Sequence, residues 1–101
     1  MPATIGILKR GRKQLELGSV FVTPKASRAL QEADQNPDEF LTRHESGDWG
    51  EVGSMDARGN ELSFMKGYRV FSIYKLFTGE EIWIITQPDR SATTVLLPEE
   101  Y

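Results

Sequence analysis

The alternation of hydrophobic and polar positions predicts that regular structure is densest in the last third of the chain. The runs Arg69–Phe77 and Glu81–Gln87 are rich in the β-branched and aromatic residues that suit half-buried strands. Gly79 lies between them, where a short hairpin loop needs a positive φ angle. A third run, Ala92–Leu97, ends before Pro98, which has no N–H to donate to a strand ladder. The pattern therefore predicts a three-stranded antiparallel β-meander.

Upstream of the meander, the pattern predicts one short strand and then the starts of helices. The run Leu15–Val22 predicts the strand, interrupted by a glycine. Thr23 and Asn36 each precede a proline and can cap the first free N–H groups of a helix. Ser54 is predicted to cap a third helix, Met55–Lys66. We therefore predict an α+β fold: a short N-terminal strand, two to three short helices, and the meander, with the helices on one face of the sheet.

Both faces of the two long predicted strands carry apolar residues. Val70 and Tyr74 lie on one side of the first strand, and Phe71 and Ile73 lie on the other. Trp83, in the middle of the second strand, is assigned to the core. Because one layer of helices covers only one face, either the sheet curls or its second face meets another molecule. A protein partner or a homodimer is the expectation that follows.

Composition sets the class of protein. A chain of 101 residues is the size of one domain, and the absence of cysteine excludes disulfides and thiolate metal sites. No apolar run approaches the roughly 18 residues that a membrane span needs, and the N-terminus lacks the apolar core of a signal peptide. We expect no membrane partner and a cytoplasmic location, with residues 14–101 forming a single α+β domain.

The charge is unevenly distributed. Lys9, Arg10, Arg12 and Lys13 give residues 1–13 a local charge of +4, whereas the remainder of the chain carries −7. We interpret 1–13 as a basic, flexible arm. The acidic remainder does not resemble the basic footprint of a nucleic-acid-binding domain, so contact with nucleic acid is expected only through these four residues. The alternative is a solvated tail that aids solubility.

The densest polar cluster of the strand region lies around the loop before the third predicted strand. Asp89, Arg90, Ser91 and Thr93 are candidate binding residues, because an arginine fork and hydroxyl groups can hold an anion. The alternative is a hairpin turn in which Asp89 or Ser91 bonds the turn backbone and Arg90 pairs with a neighbouring acid. The sequence leaves both interpretations open.

A second candidate region surrounds the single histidine, His44, and the turn at 47–50. Asp48 and Trp49 are candidate binding residues, with Trp49 either an exposed anchor for a partner or a buried plug that holds the loop on the core. One histidine with scattered carboxylates is a weak metal pattern, so neither a metal nor a cofactor is predicted. The alternative for His44 is a helix-end residue favoured by the helix dipole.

Three segments resemble a family of small proteins found on bacterial plasmids and other mobile elements. They are GDWG at 47–50, GYRVFSIY at 67–74 and IWIITQPDRSATTVLLPEEY at 82–101. The last of these carries the family's most distinctive motif, IWIITxxDRSxTTxLLPxEY, and the resemblance covers about Leu17 to Tyr101. Gln87-Pro88 stands where the family pattern usually has Glu-Ala, so that position is not expected to supply a catalytic acid. The resemblance implies a mobile-element setting and no established activity.

Two functional hypotheses fit this setting. The first is a small non-enzymatic binding or accessory protein that acts through protein–protein interaction, such as an inhibitor of a host defence or nucleic-acid-processing complex. It assigns no catalytic residue. The second is a ribonuclease similar to the RelE/BrnT-like toxins, which also place helices before an antiparallel sheet. In that case His44, Arg69, Arg90 and Tyr101 are the acid–base and phosphate-stabilising candidates.

Overall fold

Four strands form one mixed sheet in the order β1-β4-β3-β2 in the computed structural model, which describes residues 14–101. The elements in chain order are β1 Ser19–Val22, α1 Pro24–Glu32, α2 Pro37–Glu45, α3 Ser54–Lys66, β2 Val70–Lys75, β3 Glu81–Thr86 and β4 Ala92–Leu96, followed by a 3₁₀ turn at Pro98–Glu100. The predicted α+β fold is therefore confirmed. The predicted arm at 1–13 lies outside the described residues.

The predicted meander is present, because β2 pairs with β3 and β3 with β4, both antiparallel. Gly79 has φ of 93° in the β2–β3 hairpin, as its position in the sequence predicts. The short N-terminal strand joins at the far side, where β1 runs parallel to β4. Gly18, just before β1, allows this approach: a Cβ there would overlap the backbone of Ser91.

The helix starts follow the sequence signals in two of three cases. Thr23 Oγ1 accepts a hydrogen bond of 3.1 Å from the Ala26 N–H, and Asn36 Oδ1 accepts one of 2.8 Å from the Asp38 N–H. The predicted Ser54 cap is wrong. Ser54 is the first residue of α3, and Gly53 is the cap, since its carbonyl already accepts the Ala57 N–H at 2.8 Å.

The helices pack against one face of the sheet, which we call the covered face. Its core joins side chains of α1 and α2 to alternate residues of the strands. The members are Ala26, Ala29, Leu30, Ala33, Phe40, Leu41, Tyr74, Leu76, Ile82, Ile84, Val95 and Leu97. A smaller cluster around Trp49 and Val70 receives Ala57 and Phe64 from α3. The opposite side of α3 is exposed, with Leu62 and Met65 in contact with solvent.

The outer edge of β2 is covered by other parts of the chain. The Asn60 side chain, buried on α3, donates to the Phe71 carbonyl at 2.5 Å and accepts from the Phe71 N–H at 3.2 Å. The Ile73 carbonyl accepts from the Glu51 N–H at 2.6 Å, and the Ile73 N–H donates to the Trp49 carbonyl at 3.2 Å. One side-chain amide and one short bridge thus satisfy an edge that would otherwise be open to another strand.

Candidate functional site

The face of the sheet opposite the covered face, which we call the open face, carries a row of apolar and aromatic residues. Its members are Phe21, Phe71, Ile73, Trp83, Ile85, Thr94 and Leu96. The register places them side by side: Ile73 pairs with Trp83, Trp83 with Leu96, and Phe71 with Ile85. Phe21 at the β1 end of the row is 56% exposed. Trp83 was predicted to be core, and it is instead half-buried on this face.

Arg69 and Tyr101, two of the predicted nuclease residues, meet at the open face. The Arg69 guanidinium donates to the Tyr101 hydroxyl and lies 5.3 Å from the centroid of the Tyr101 ring. The Tyr101 ring in turn lies 5.3 Å from the Trp83 ring, which contacts Phe71 at 6.3 Å. The result is a surface of three aromatic rings with one cation at its rim. Such a surface suits planar or apolar groups of a partner.

The indole N–H of Trp83 marks this cluster as incompletely satisfied. The Nε1 atom is buried and has no hydrogen-bond partner among residues 14–101. A buried donor without an acceptor costs about 1–3 kcal/mol. Because Nε1 is buried, a partner at the surface does not reach this donor unless the rings around it move.

His44 lies on the covered face and is fully buried, so the solvent does not reach its ring. Its Nδ1 atom lies 2.6 Å from Ser72 Oγ on β2, and its Nε2 atom lies 2.8 Å from Thr86 Oγ1 on β3. The Thr86 hydroxyl continues to Thr93 Oγ1 at 2.8 Å, and Thr93 donates to the Leu17 carbonyl at 2.7 Å. One chain of hydrogen bonds therefore joins α2 to strands β2, β3 and β4 and to the segment before β1.

The direction of this chain follows from its last acceptor. A carbonyl only accepts, so the Thr93 proton goes to Leu17, and the Thr86 proton must then go to Thr93. Thr86 consequently accepts from His44, which fixes the proton on Nε2. With Nε2 protonated, Nδ1 of the neutral ring accepts from Ser72. Each member donates once, and a single tautomer satisfies the whole network.

The protonation of His44 is governed by its surroundings. Burial and, to a smaller extent, the charge of Arg90 together lower its pKa from 6.5 to about 3. Near neutral pH the imidazole is uncharged and already bonded at both nitrogens. His44 therefore holds the helix to the sheet, and its position beneath the helices keeps it away from any substrate on the open face.

Arg90 ends the β3–β4 loop in the left-handed region, with φ of 61°. Its guanidinium donates to four carbonyl oxygens: Tyr68 at 2.7 Å, Ser63 at 3.0 Å, Gln87 at 3.2 Å and Phe64 at 3.4 Å. Three of these belong to the C-terminal end of α3 and the residues after it, where a cation also opposes the helix dipole. Arg90 thus fastens the loop to α3 and does not present a free fork to an anion.

The neighbours of Arg90 complete the turn. The Asp89 carboxylate accepts from the Ser91 N–H at 3.0 Å. Hydrogen bonding from the Ser91 hydroxyl, and then from this N–H, lowers the pKa of Asp89. The Arg90 N–H donates to the Gln87 carbonyl at 2.9 Å, which closes the turn. Thr93 is fully buried in the His44 network. The predicted binding set is therefore divided: Asp89 and Ser91 build the hairpin, and Thr93 faces the core.

The turn at 47–50 holds Asp48 and Trp49 in different environments. Trp49 is only 5% exposed, donates through Nε1 to Glu61 at 2.9 Å, and lies edge-on to the His44 ring at 5.8 Å. Of the two predicted roles for Trp49, the structure shows the buried plug. Asp48 pairs with Arg43 at 2.8 Å, and this bond raises the pKa of Arg43.

A cavity of about 460 Å³ lies beside this turn, lined by Ser46, Gly47, Asp48, Trp49, Gly50, Val52 and Ala57. The Tyr74 hydroxyl donates to the Asp48 carbonyl at 2.5 Å, and burial raises the pKa of Tyr74. The turn is thereby tied to β2 from inside the core. Asp48 is thus the one predicted binding residue of this turn that solvent still reaches.

The structure also shows buried hydrogen-bonding side chains that the sequence analysis missed. Ser72 and Thr86 occupy covered-face positions in strands whose other covered-face residues are apolar. That interruption of the apolar alternation was a readable signal of a buried polar network. Asn60, in the middle of α3, gave no such signal, because its role depends on the edge of a strand that follows it.

The comparisons with known proteins do not distinguish between the two functional hypotheses. The chain matches no family model, no curated protein and no solved structure. Within residues 14–101, no helix has both the length and the apolar character needed to cross a membrane. In the same part of the chain, no three histidine or acidic side chains are grouped as a metal ion would require.

Proposed function

We propose that this chain is a small non-enzymatic binding protein of a mobile genetic element, acting in the cytoplasm through the open face of its sheet. The resemblance at 47–50, 67–74 and 82–101 supports the setting. The observation that carries the proposal is the open face itself: aromatic and aliphatic side chains line it, while the helices lie on the other side. Such a patch is typical of a surface that contacts another protein.

The chemistry of the open face favours a protein partner. Half-buried Phe71, Trp83 and Ile73 provide apolar area, and Tyr101 and Arg69 are residue types enriched at interaction hot spots. A partner of this kind could be a component of a host defence or nucleic-acid-processing complex, which the bound protein would inhibit or modulate.

The test compares positions on the same protein. A photoreactive phenylalanine analogue replaces Phe71 or Tyr101 on the open face, and replaces Phe77 as the control. Phe77 is 81% exposed at the tip of the β2–β3 hairpin, away from the aromatic cluster. We expect one and the same host protein to be cross-linked from Phe71 and Tyr101 and not from Phe77.

Binding to the purified partner then decides the proposal. Ile73→Lys places a charge in the centre of the open face and is expected to weaken binding at least tenfold, with the fold retained by circular dichroism. Identical products from all three cross-linking positions would contradict the proposal. An unchanged affinity of Ile73→Lys would contradict it as well.

A ribonuclease is the second candidate, favoured by the contact between Arg69 and Tyr101. Their hydroxyl and guanidinium groups adjoin a ring surface on which a base could stack. Of the other two candidates, His44 is buried beneath the helices, and Arg90 is bonded to backbone carbonyls. Labelled single-stranded RNA incubated with the protein, with and without divalent metal, tests this candidate. Cleavage that Arg69→Ala abolishes would replace the binding proposal.

A further inference from the structure

The two edge strands of the sheet differ in whether their outward-facing backbone groups are hydrogen-bonded within residues 14–101. On β2, Asn60 and the bridge at 49–51 satisfy the outward-facing backbone groups of Phe71 and Ile73. On β1, the inward groups bond β4: the Ser19 N–H donates to the Ser91 carbonyl and the Thr23 N–H to the Val95 carbonyl, both at 3.0 Å. Because alternate residues of a strand face opposite edges, the backbone groups of Val20 and Val22 face outward. No residue between 14 and 101 pairs with them.

The residues of β1 do nothing to discourage pairing with another strand. Edge strands are ordinarily protected by shortness, lysine, proline, inward charges or bulges, and of these β1 has only its length of four residues. β1 reads Ser-Val-Phe-Val, without charge or proline, and both Val20, at 42%, and Phe21, at 56%, are exposed. This edge is therefore suited to receive a strand.

We propose that the occupant of this edge is a second copy of the chain, with the two β1 strands antiparallel about a two-fold axis at Phe21. The sequence Val20-Phe21-Val22 is symmetric about its centre, so the axis pairs Val20 of each copy with Val22 of the other. These are the residues whose N–H and C=O groups face outward, and the two pairs form four hydrogen bonds. The two Phe21 rings then meet directly across the axis on the open face, an arrangement that stabilises strand pairs.

A cavity under the edge of β1 fits this register. It has a volume of about 530 Å³ and is lined by Val22, Ser27 and Leu30 together with polar residues of the α1–α2 connection. Val20 of the second copy, paired with Val22, points to the covered face and enters this cavity. Its side chain thereby removes apolar surface of half-buried Val22 from water.

Charge favours the antiparallel arrangement over the parallel one. Glu16 precedes β1 by three residues and Lys25 follows it by three residues, and both are exposed. Antiparallel pairing brings Glu16 of one copy to the end of the strand pair where Lys25 of the other copy lies. Lys25 also bonds Glu99 of its own chain at 3.3 Å, so this attraction guides the register more than it strengthens the dimer.

The edge of β1 adjoins the open face and shares Phe21 with it, but the pairing uses the strand backbone and does not depend on the proposed function. Two sheets of four strands would join into one continuous sheet of eight, with the two open faces side by side. The paired segments are short, so we expect a dissociation constant on the order of 100 μM, in the range of small transient interfaces.

Cysteine cross-linking tests the axis, because the chain has no cysteine of its own. Facing residues of a non-hydrogen-bonded antiparallel pair have Cα atoms about 4.5 Å apart, within the range for a disulfide. Under mild oxidation, Phe21→Cys is expected to form a covalent dimer at least tenfold faster than Phe77→Cys, which reports random collision at a more exposed site, 81% against 56%. Equal rates for the two variants would overturn the proposal.

A backbone variant tests the pairing itself. Val20→Pro removes only an outward-facing N–H, and proline is tolerated on an edge strand at such a position. Sedimentation equilibrium from 10 μM to 1 mM is expected to show reversible dimers for the unaltered chain and at least tenfold weaker association for Val20→Pro. An unaltered chain that stays monomeric at 1 mM would overturn the proposal and assign the edge to another occupant. The Phe21→Cys result stands even where Val20→Pro fails to fold.

Discussion

On the covered face of the sheet, polar and apolar side chains alike are removed from water, whereas aromatic rings of the open face remain partly accessible. The covered face contains a histidine and three hydroxyl residues, each with a hydrogen-bond partner. The open face contains Trp83, whose buried N–H has none among the described residues. His44 and Thr93, which look suited to chemistry in the sequence, thus stabilise the fold, whereas Trp83, which looks like core, is half-buried on the open face.

The largest effect on stability is expected from replacing His44, the centre of the buried network. His44→Leu keeps the side-chain volume close to that of histidine but leaves Ser72 and Thr86 without their partner. Unsatisfied buried hydroxyls cost about 1–3 kcal/mol each, so we expect the free energy of unfolding to fall by about 4 kcal/mol. Urea denaturation followed by circular dichroism measures it. A loss below 1 kcal/mol would show that the network contributes little to stability.

Two adjacent threonines on β4 compare the faces directly. Thr93 is buried in the network, whereas Thr94 is half-buried on the open face. Thr93→Val leaves the Leu17 carbonyl without a donor and should lower the free energy of unfolding by about 3 kcal/mol. Thr94→Val should change it by less than about 0.5 kcal/mol, as surface substitutions do. Similar losses in both variants, measured by urea denaturation, would remove the distinction between the faces.

The pH dependence of stability isolates His44. Its pKa is about 3 in the folded protein against 6.5 when unfolded, so the unfolded chain binds more protons between these values. Stability is complete above pH 6.5 and falls as the pH is lowered, by about 2 kcal/mol between pH 8 and pH 5. Asp89 and Glu100, whose pKa values are lowered, lose their contributions only at more acidic pH.

The matching control for this pH profile is His44→Leu, which should have a nearly flat stability between pH 8 and pH 5. Denaturant unfolding at half-unit intervals of pH provides the profile for both proteins. A slope that persists in His44→Leu would place the titrating group elsewhere.

The smallest expected effect concerns Arg90, which joins the β3–β4 loop to α3 at the rim between the two faces. Arg90→Ala removes the donor to four carbonyls, and because these carbonyls are partly solvated we expect a loss of about 1.5 kcal/mol. Arg90→Gly removes the same donor but relieves the positive φ angle, so it should lose less than the alanine variant by about 1 kcal/mol. Thermal unfolding distinguishes them. Unchanged stability in Arg90→Ala would return the residue to the list of binding candidates.

Features determined by neighbouring residues could be predicted from the sequence. The meander, the caps at Thr23 and Asn36 and the positive φ angle of Gly79 each depend on a few consecutive residues. The pairing of β1 with β4 could not be predicted, because no local signal selects the neighbour of a short strand. Asn60 was missed for the same reason: its amide replaces a strand, and that role exists only once β2 lies beside it.

The candidate site was harder to predict than the fold. Tertiary packing decides which side chains are exposed, and residue type alone does not show it. Arg90 and Trp49 belong to types common at binding surfaces, yet one bonds helix carbonyls and the other is buried. The contact of Arg69 with Tyr101 brings together residues from opposite ends of the strand region. Only the prediction of a second apolar face indicated where the accessible surface would lie.

The bond between Thr93 and the Leu17 carbonyl joins residues 76 positions apart in the chain. The pairing of β1 with β4 therefore raises the contact order, because the two strands lie far apart in the sequence. During synthesis the helices and the β2–β3 hairpin can form as they emerge from the ribosome, but β1 finds no partner until β4 has been made. We expect closure of the sheet to follow the synthesis of β4 and to limit the folding rate.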